Sequence, residues 1–326
     1  MDSLSRVLRL GIAAILCAVT LELFADGVPE KVRTILSKPN ISAFLTYLET
    51  GRNVRFSLPF EREHTAESPA PWSPPEVLPV FLPEQAQQVQ MFYGCDLRPD
   101  LQKLLPEPLQ WYLPLPEPTV LILHSHATES YTASGEHYKE SASYRTLDEG
   151  YNMLSIGDRV AELLEQQGIT VIHDRTLHDH PNYNSAYGSS RTSAQKYLQQ
   201  YPSIQLILDL HRDALEQNGT QLATDATVNG QSSAQLMLVM GTDAGGLDHK
   251  DWEKNLSLAL KLQTQLELQA PGITRPIQLR SQRFNQDLLP GSLLVEVGSA
   301  GNTHKEALTA AEQLAYAIVA LSKGTQ

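Results

Sequence analysis

The residues of this sequence best suited to chemistry are histidines that follow two strongly apolar segments. The run VLIL leads into His124 and His126, and the run LILDL leads into His211. Such runs are typical of buried parallel strands, and ligand sites in α/β sheets lie just beyond the carboxyl ends of these strands. A third run, LLVEV, carries Glu296 inside an otherwise apolar strand. Two histidine positions and one glutamate on three strands predict a single metal centre.

Zinc is the metal that this donor set favours, because imidazole and carboxylate groups are among its usual ligands. A catalytic zinc site keeps three protein ligands and leaves the fourth position to water. We expect His126 and His211 to be two of the ligands. The third would be a carboxylate, and Asp148 or Glu149 could supply it from the loop ahead of a predicted helix.

Glu296 needs a partner if its strand is buried, since an unpaired carboxylate in a protein interior costs several kcal/mol. A cation or a metal-bound water beside it would provide that compensation. The alternative is a salt bridge to an arginine such as Arg212 or Arg280.

The composition argues against two classes of protein. The chain has 326 residues, 41% of them hydrophobic, which is enough for one large domain or two smaller ones. Its formal net charge is −12 and Lys and Arg are not clustered, so we expect no nucleic-acid partner. Cys17 and Cys95 are its two cysteines, which leaves neither a disulfide framework nor a cysteine zinc cluster.

The N-terminal residues carry a targeting signal. Arg6 and Arg9 precede an apolar stretch, residues 10–24, that with its neighbours is roughly long enough to span a bilayer. The stretch is either an uncleaved anchor or a signal peptide, and the lack of a convincing cleavage site favours the anchor. An amphipathic helix is a weaker alternative, because the apolar residues leave no polar face. We assign residues 1–26 to this segment.

The rest of the chain divides at about residue 100. Residues 27–100 are predicted to form a stalk and a proline-rich linker, because proline at this density sustains neither a helix nor a central strand. From Thr119 onwards, strand patterns alternate with helical patterns to the end of the chain. This alternation predicts an α/β fold for residues 101–326, with a mostly parallel sheet and helices on both faces.

The motifs VLILHSHATESY, DLHRDA, RFNQD and GSLLVEVG follow one another in this order within residues 90–322. Together they resemble the stage II sporulation protein P family of endospore-forming bacteria, which is related to the zinc-dependent N-acetylmuramoyl-L-alanine amidases. The resemblance implies an amidase/phosphorylase-like fold. It also implies a peptidoglycan hydrolase, anchored in the membrane of the forespore septum with its catalytic domain outside the cytoplasm, that thins the septum during engulfment.

The resemblance further implies a substrate and partners. Members of the family cleave the amide between muramic acid and L-alanine and also peptide crosslinks of the stem. Besides peptidoglycan, the implied partners are a septal transglycosylase and a polytopic membrane protein.

The resemblance also assigns roles to residues. The two zinc histidines of the amidases fall on His126 and His211, and the catalytic carboxylate falls on Glu296. The middle ligand, a glutamate, aligns with Asp148 by position and with Glu149 by residue type. A further group is expected to bind substrate or to support the ligands: His124, Glu129, Tyr183, Asn184, Arg212 and Asp213. For the last four, helix capping and surface hydrogen bonding explain the residue types equally well.

Two other functions fit the same residues. A zinc-dependent peptidase or deacetylase that acts on another wall polymer would use the same donor set. A catalytically silent scaffold that binds the wall would not need it, and the presence of every expected metal and acid position argues against that function.

Overall fold

The structure, a computed structural model, describes residues 79–132 and 144–324. The predicted anchor, residues 1–26, and the first part of the predicted stalk and linker lie outside these residues. Within them, no helix combines the length and the apolar character needed to cross a bilayer. The membrane anchor therefore stays a prediction.

The described residues form eleven strands and five α-helices, which largely alternate along the chain. The strands are β1 (Met91–Tyr93), β2 (Val120–Leu123), β3 (Val171–His173), β4 (Leu206–Asp213), β5 (Glu216–Gln217), β6 (Thr220–Gln221), β7 (Asp225–Val228), β8 (Gln231–Ala234), β9 (Leu236–Gly241), β10 (Ile277–Arg280) and β11 (Ser292–Ser299). The helices are α1 (Leu101–Leu104), α2 (Met153–Gln166), α3 (Ala186–Gln200), α4 (Trp252–Gln269) and α5 (His304–Leu321). Three short 3-10 helices add to these: Pro83–Gln87, Tyr183–Ser185 and Gln286–Leu288.

Seven of the strands form one sheet, in the order β1-β10-β9-β11-β4-β2-β3. β11, β4, β2 and β3 run parallel to one another, and so do β1, β10 and β9. β9 and β11 meet in antiparallel orientation. Five parallel pairings against one antiparallel pairing confirm the prediction of a mostly parallel sheet.

Helices cover both faces of this sheet, as the alternating pattern predicted. α2, α4 and α5 pack together on one face, where Leu208, Leu210 and Val295 belong to the main hydrophobic core. α3 lies on the other face and packs Ala194 against Ile207 and its neighbours. The larger core therefore lies on the side of the sheet away from α3.

The ends of the helices follow from local chemistry. α2 begins after Asn152, whose side-chain oxygen accepts the Leu154 N–H at 2.9 Å. Gly168 follows the helix with a φ of 76°, a left-handed conformation that glycine adopts without strain. α5 begins with a capping box formed by Thr303 and Glu306.

Residues ahead of position 100 contribute to the sheet. β1 pairs in parallel with β10 and forms one edge. It falls within residues 27–100, which the proline content assigned to stalk and linker. A strand of three residues is too short to give a periodic pattern, so the sequence could not separate it from its surroundings.

β4 and β11 carry polar residues on the face that α3 covers. The leucines on either side of Asp209 belong to the main core, so Asp209 and His211 point to the opposite face. Glu296 likewise lies between two core valines of β11, and it is paired with His211 in the register of the two strands. Two neighbouring strands thus bring three titratable side chains together.

Candidate metal centre

Three side chains, two from the turn after β2 and one from the last part of β4, offer ligand atoms to one point. One ligand atom from each of His126, Glu129 and His211 lies within 4.8 Å of the others. Glu129 stands between the histidines: Oε1 is 3.4 Å from Nδ1 of His126, and Oε2 is 3.4 Å from Nδ1 of His211. Within the described residues, this is the one group of three or more such side chains that could hold a metal ion.

The turn after β2 positions His126 and Glu129. The Glu129 N–H donates to the His126 carbonyl oxygen at 3.1 Å, so both side chains belong to one tight turn. Ser125 fixes the start of this turn to β4, because its N–H and hydroxyl donate to the two carboxylate oxygens of Asp209 at 2.7 and 2.6 Å. The two strands that supply the histidines are therefore tied together at the site.

Glu129 is held in its ionised form. Burial alone would raise its pKa, but hydrogen bonds from His126 and His211 and the charge of Arg212 outweigh burial and bring the pKa well below the usual range. The Arg212 N–H donates to Oε2 at 3.2 Å, and the Arg145 guanidinium lies 3.2 Å from Oε1. A buried carboxylate that stays charged is suited to bind a cation.

His211 is oriented by a second carboxylate. Its Nε2 lies 2.9 Å from Oδ1 of Asp209, which leaves Nδ1 facing Glu129. Burial lowers the pKa of His211, but the charges of Asp209 and Glu129 outweigh burial and raise the pKa well above the usual range. This close contact lacks hydrogen-bond geometry, whereas a metal-binding histidine commonly donates its other N–H to a carboxylate.

Glu296 lies beside this group with one oxygen unused. Its Oε2 is shielded from solvent and has no hydrogen-bond partner among the described residues. Burial raises the pKa of Glu296 to about 8, and the nearby carboxylates of Asp213 and Glu129 add to that rise while His211 opposes it. Arg212 does not form the salt bridge to Glu296 that the sequence allowed. Its guanidinium donates instead to the carbonyl oxygens of Ser130 and Tyr144.

The donor set fits zinc on these observations. Two imidazole nitrogens and a carboxylate are a ligand set of catalytic zinc sites, and here they converge from β4 and the turn after β2. The unpartnered oxygen of Glu296 is a buried polar group that a water molecule next to a cation would satisfy.

Aromatic rings line one side of the group. The Tyr183 ring stacks on His126 with 4.6 Å between ring centroids and an interplanar angle of 17°. The guanidinium of Arg145 covers Tyr183 at 4.6 Å from the ring centroid. Tyr187 approaches His126 edge-on at 5.4 Å. These rings limit the directions from which a substrate could reach the histidines.

A model of the family described as stage II sporulation protein P (SpoIIP) matches residues 102–319 of this chain. The chain belongs to the stage II sporulation protein P family. The resemblance expected from the sequence motifs is thereby confirmed. Stage II sporulation protein P of Bacillus subtilis (strain 168) is 30% identical over 209 residues, which make up 60% of this chain and 49% of that protein. The match thus spans about half the length of this relative.

Solved amidase structures are similar in fold at low scores. N-acetylmuramoyl-L-alanine amidase AmiC2 of Nostoc punctiforme gives a TM-score of 0.34 at 16% identity, covering 62% of this chain and 93% of that chain. An N-acetylmuramoyl-L-alanine amidase from Clostridium difficile 630 gives 0.38 at 16% identity, with the same two coverages. At these scores the likeness carries no argument about chemistry.

The sequence predicted that either Asp148 or Glu149 would be the third ligand. The structure brings neither side chain to the histidines. Both side chains are exposed, in the turn that leads into α2. Asp148 accepts the Gly150 N–H at 3.0 Å, and Glu149 pairs with Arg175 at 2.7 Å. Glu129, expected only to support the ligands or bind substrate, stands in the donor group instead.

His124 directly follows β2, and its ring lies towards α2, away from the donor group. Its Nδ1–H donates to the Leu210 carbonyl oxygen at 3.0 Å, and its Nε2 lies 2.9 Å from Nε2 of His173. Burial and the neighbouring His173 lower its pKa to about 3, so the ring is neutral. Gly157 in α2 makes room for the two rings, because a Cβ there would collide with both. His124 therefore braces the strand end and is not part of the donor group.

The other expected supporting residues have separate places. Arg212 is buried and fixes the turn that carries Glu129 rather than lining a groove. Asp213 pairs with Arg275 at 2.8 Å. Tyr183 contacts His126, as described, and Asn184 is exposed in the short 3-10 helix next to it. Of these four residues, Tyr183 contacts His126 and Arg212 contacts Glu129.

Sequence reasoning gave no role to several residues of the site. Asp209 occurs in the motif DLHRDA, which carries part of the family resemblance, but its pattern looks like that of a strand residue. Arg145, which pairs with Asp179 at 2.6 Å, carries no motif of its own. One signal was available for Glu129: a spacing of three residues from His126 in a tight turn places both side chains on the same side.

Proposed function

We propose that this chain is a zinc-dependent peptidoglycan hydrolase that cleaves the amide bond between N-acetylmuramic acid and L-alanine. The observation that carries the proposal is the convergence of His126, Glu129 and His211 next to Glu296, whose Oε2 is buried and unpartnered. Membership of the stage II sporulation protein P family supports the choice of peptidoglycan as substrate. It also supports a role in sporulation.

The residues of the site divide the work of amide hydrolysis. When bound, zinc would supply a Lewis acid that polarises the scissile carbonyl and lowers the pKa of a water molecule. His126, Glu129 and His211 would hold the ion, and Asp209 lies against Nε2 of His211 while Nδ1 faces Glu129. Glu296 accepts the proton of the attacking water and then passes it to the leaving nitrogen, which completes cleavage of the C–N bond.

The state of Glu296 suits this task. A general base works best when its pKa is close to the pH at which the enzyme acts. Burial raises the pKa of Glu296 above the ordinary value, while a bound cation would lower it again by stabilising the carboxylate. The two influences act in opposite directions on the group that would accept and return the proton.

The setting of this activity is part of the proposal. Residues 1–26 anchor the chain in the cell membrane by a single span, and the catalytic domain acts outside the cytoplasm on the wall of the forespore septum. Stem-peptide crosslinks are a second bond that the same site would cut. The septal transglycosylase and polytopic membrane protein expected from the family are the proposed partners in septal thinning.

Digestion of purified sacculi by the full-length, zinc-loaded chain tests the proposal. Mass spectrometry should find glycan strands that end in free lactyl groups and stem peptides with a free N-terminal L-alanine. Fragments cut only within the stem would indicate a peptidase, and loss of acetyl groups alone would indicate a deacetylase. Binding of sacculi without soluble products would indicate a scaffold and would overturn the proposal.

Glu296→Gln is the matching active-site variant. It should retain about one zinc per chain and lose turnover by roughly 10³-fold, because the proton acceptor is gone and the ligands are intact. Glu165→Gln, on the exposed surface of α2, makes the same chemical change away from the site and should behave like the wild type. A Glu296→Gln variant that digests sacculi at the wild-type rate would remove this residue from the mechanism.

A further inference from the structure

Tyr187 presents a phenol to the donor group. The residue lies in the first turn of α3 and is partly buried. Its ring centroid is 5.4 Å from that of His126 and 6.3 Å from that of His211, and the ring is nearly parallel to His211 with an interplanar angle of 15°. In the part of the chain that the structure describes, the hydroxyl of Tyr187 takes part in no hydrogen bond.

The surroundings of Tyr187 keep this hydroxyl protonated. Burial raises its pKa far above the ordinary range, and the nearby carboxylates of Asp209, Glu296 and Glu129 raise it further. Each of these groups disfavours a phenolate. With its ring against those of His126 and His211, the phenol is placed to donate a hydrogen bond to a group bound there.

The backbone of Tyr187 is held in place by a strained segment. Its carbonyl oxygen accepts a hydrogen bond from the Asn285 side chain at 2.8 Å and one from the Ser190 hydroxyl at 3.2 Å. The Phe284 ring packs against the Tyr187 ring at 6.0 Å between centroids. Phe284 and Asn285 have φ values of 49° and 58°, in the left-handed region that non-glycine residues rarely adopt. Residues in this region persist only where the surrounding structure holds them there.

The other donors around the group are already engaged. Arg145 contacts Glu129 and Asp179, at 3.2 and 2.6 Å. The Arg212 guanidinium donates to carbonyl oxygens of the turn. Tyr187 thus offers a donor that can turn towards a substrate, while Glu296 offers an acceptor on the same side of the sheet.

We propose that the Tyr187 hydroxyl donates a hydrogen bond to the oxygen of the scissile carbonyl and stabilises the oxyanion that forms there. This inference rests on the proposed amide hydrolysis. As the water oxygen bonds to the carbonyl carbon, the water proton passes to Glu296 and the π electrons move to the carbonyl oxygen. Tyr187 keeps its proton throughout. When the carbonyl re-forms, the C–N bond breaks and Glu296 returns the proton to nitrogen.

Tyr187→Phe in the full-length, zinc-loaded chain tests this role. The variant should lower kcat by about 100-fold with KM within about twofold, which is the effect of removing one oxyanion donor. Bound zinc should remain at the wild-type stoichiometry. Tyr197→Phe is the matched control, because this residue lies on the same helix, away from the donor group. It packs against the apolar residues between α3 and the sheet. It should match the wild type in every measurement.

Ligand binding supplies a readout other than activity. A phosphonamidate that replaces the scissile amide of muramoyl-L-alanine mimics the tetrahedral intermediate and carries the negative oxygen. Calorimetry should show that Tyr187→Phe binds it about 100-fold more weakly than the wild type does, while free N-acetylmuramic acid binds equally to both. A merely structural tyrosine would change both affinities together.

The outcomes separate the role of Tyr187 from the proposed function. If the wild type neither cleaves the amide nor binds the phosphonamidate, the proposed function fails. If the wild type does both and Tyr187→Phe equals it, the oxyanion role alone fails. That role also fails if the variant loses zinc in proportion to kcat, because the phenol would then support the metal site or the fold.

Discussion

Two clusters of buried polar residues lie close together in this fold, and they differ in how completely their atoms are paired. In one, His178 contacts Ser189 through Nδ1 at 2.9 Å and Asp174 through Nε2 at 3.1 Å. The residue types are those of a nucleophilic triad. In the other, around His126, Glu129 and His211, the oxygen of Glu296 and the hydroxyl of Tyr187 have no partner among the described residues.

The comparison shows that residue type alone does not mark a reactive site. Asp174 has its carboxylate occupied by His178 and by the backbone and hydroxyl of Thr176. His178 has both nitrogens in contact with a partner and is fully buried. The side chains of Asp174 and His178 therefore have no free donor or acceptor for a substrate. Around His211, by contrast, polar atoms converge and stay available, which is what a bound ion and a substrate require.

The pKa values of the two clusters express the same difference. Burial raises the pKa of both Asp174 and Glu296. For Asp174, hydrogen bonds from His178 and Thr176 outweigh burial and bring the pKa to about 2. For Glu296, no comparable partner is present and the pKa rises to about 8. A paired buried carboxylate is a structural group, and an unpaired one is poised to move protons.

The fully paired cluster around His178, here called the closed cluster, supports the open cluster around His126, Glu129 and His211. His178 fixes the loop that follows β3, and the next residue, Asp179, accepts hydrogen bonds from the Thr128 hydroxyl at 2.5 Å and from Arg145 at 2.6 Å. Arg145 in turn contacts Glu129 and covers Tyr183. We infer that the loop holds one wall of the donor group in place.

The largest expected contrast is between two histidine variants. His211→Ala should reduce bound zinc from about one per chain to nearly none and abolish digestion of sacculi, because one of three protein ligands is removed. His178→Ala should keep its zinc. Elemental analysis of both purified proteins makes the comparison, and stoichiometric zinc in His211→Ala would take this residue out of the ligand set.

A second contrast concerns the carboxylate ligand. Glu129→Gln should weaken zinc binding by at least about 100-fold, since losing even an outer partner of a ligand costs 10- to 100-fold. The double variant Asp148→Asn/Glu149→Gln makes the same kind of change in the exposed turn and should bind zinc like the wild type. Competition with a chelator of known affinity measures both. The reverse order of affinities would restore the turn before α2 as the source of the ligand.

A third contrast is in stability. His178→Ala should lower the free energy of unfolding by about 2–4 kcal/mol, because it leaves the buried Asp174 without its main partner and opens a cavity. Ser189→Ala, at the partly exposed end of the same cluster, should cost about 1 kcal/mol and leave the rate of digestion unchanged. Denaturant unfolding and sacculus digestion give the two readouts. A Ser189→Ala variant that folds but no longer digests sacculi would show that the closed cluster is catalytic.

The sheet and two of the three side chains of the donor group could be predicted because they depend on local pattern. Apolar runs define β2, β4 and β11, and the rule that sites follow the carboxyl ends of parallel strands locates His126 and His211. The third position depends on which carboxylate the loops bring inward. Glu129 and Glu149 are both glutamates next to a turn, and the difference between them arises from tertiary contacts with Arg212 and Arg175.

The pairing of polar groups is equally invisible in the sequence. Asp174, His178 and Ser189 are as suggestive a set of residue types as the donor group itself. The polar atoms of these residues are paired because of the path of the loop after β3 and the position of α3. Both are set by packing across the whole domain. Tyr187 shows the converse, since its position in a helix gives no sign that its hydroxyl is left without a partner.

The smallest contrast is in the pH dependence of stability of the metal-free protein. Because the pKa of Glu296 rises from 4.5 to about 8 on folding, its contribution to stability is fully present below pH 4.5 and is lost as the pH rises towards 8. The wild type should therefore lose roughly 1–3 kcal/mol relative to Glu296→Gln between pH 5 and pH 8. Urea unfolding in the presence of a chelator measures the difference.

The pKa of Asp174 contributes to stability with the opposite sign, since its lowered pKa stabilises the fold above pH 4 and loses that effect only as the pH falls towards 2. Added zinc should remove most of the difference between wild type and Glu296→Gln, because a cation at the donor group would stabilise the ionised carboxylate. A pH profile that is the same for both metal-free proteins would mean that Glu296 is as well paired as Asp174, and the distinction between the two clusters would then be lost.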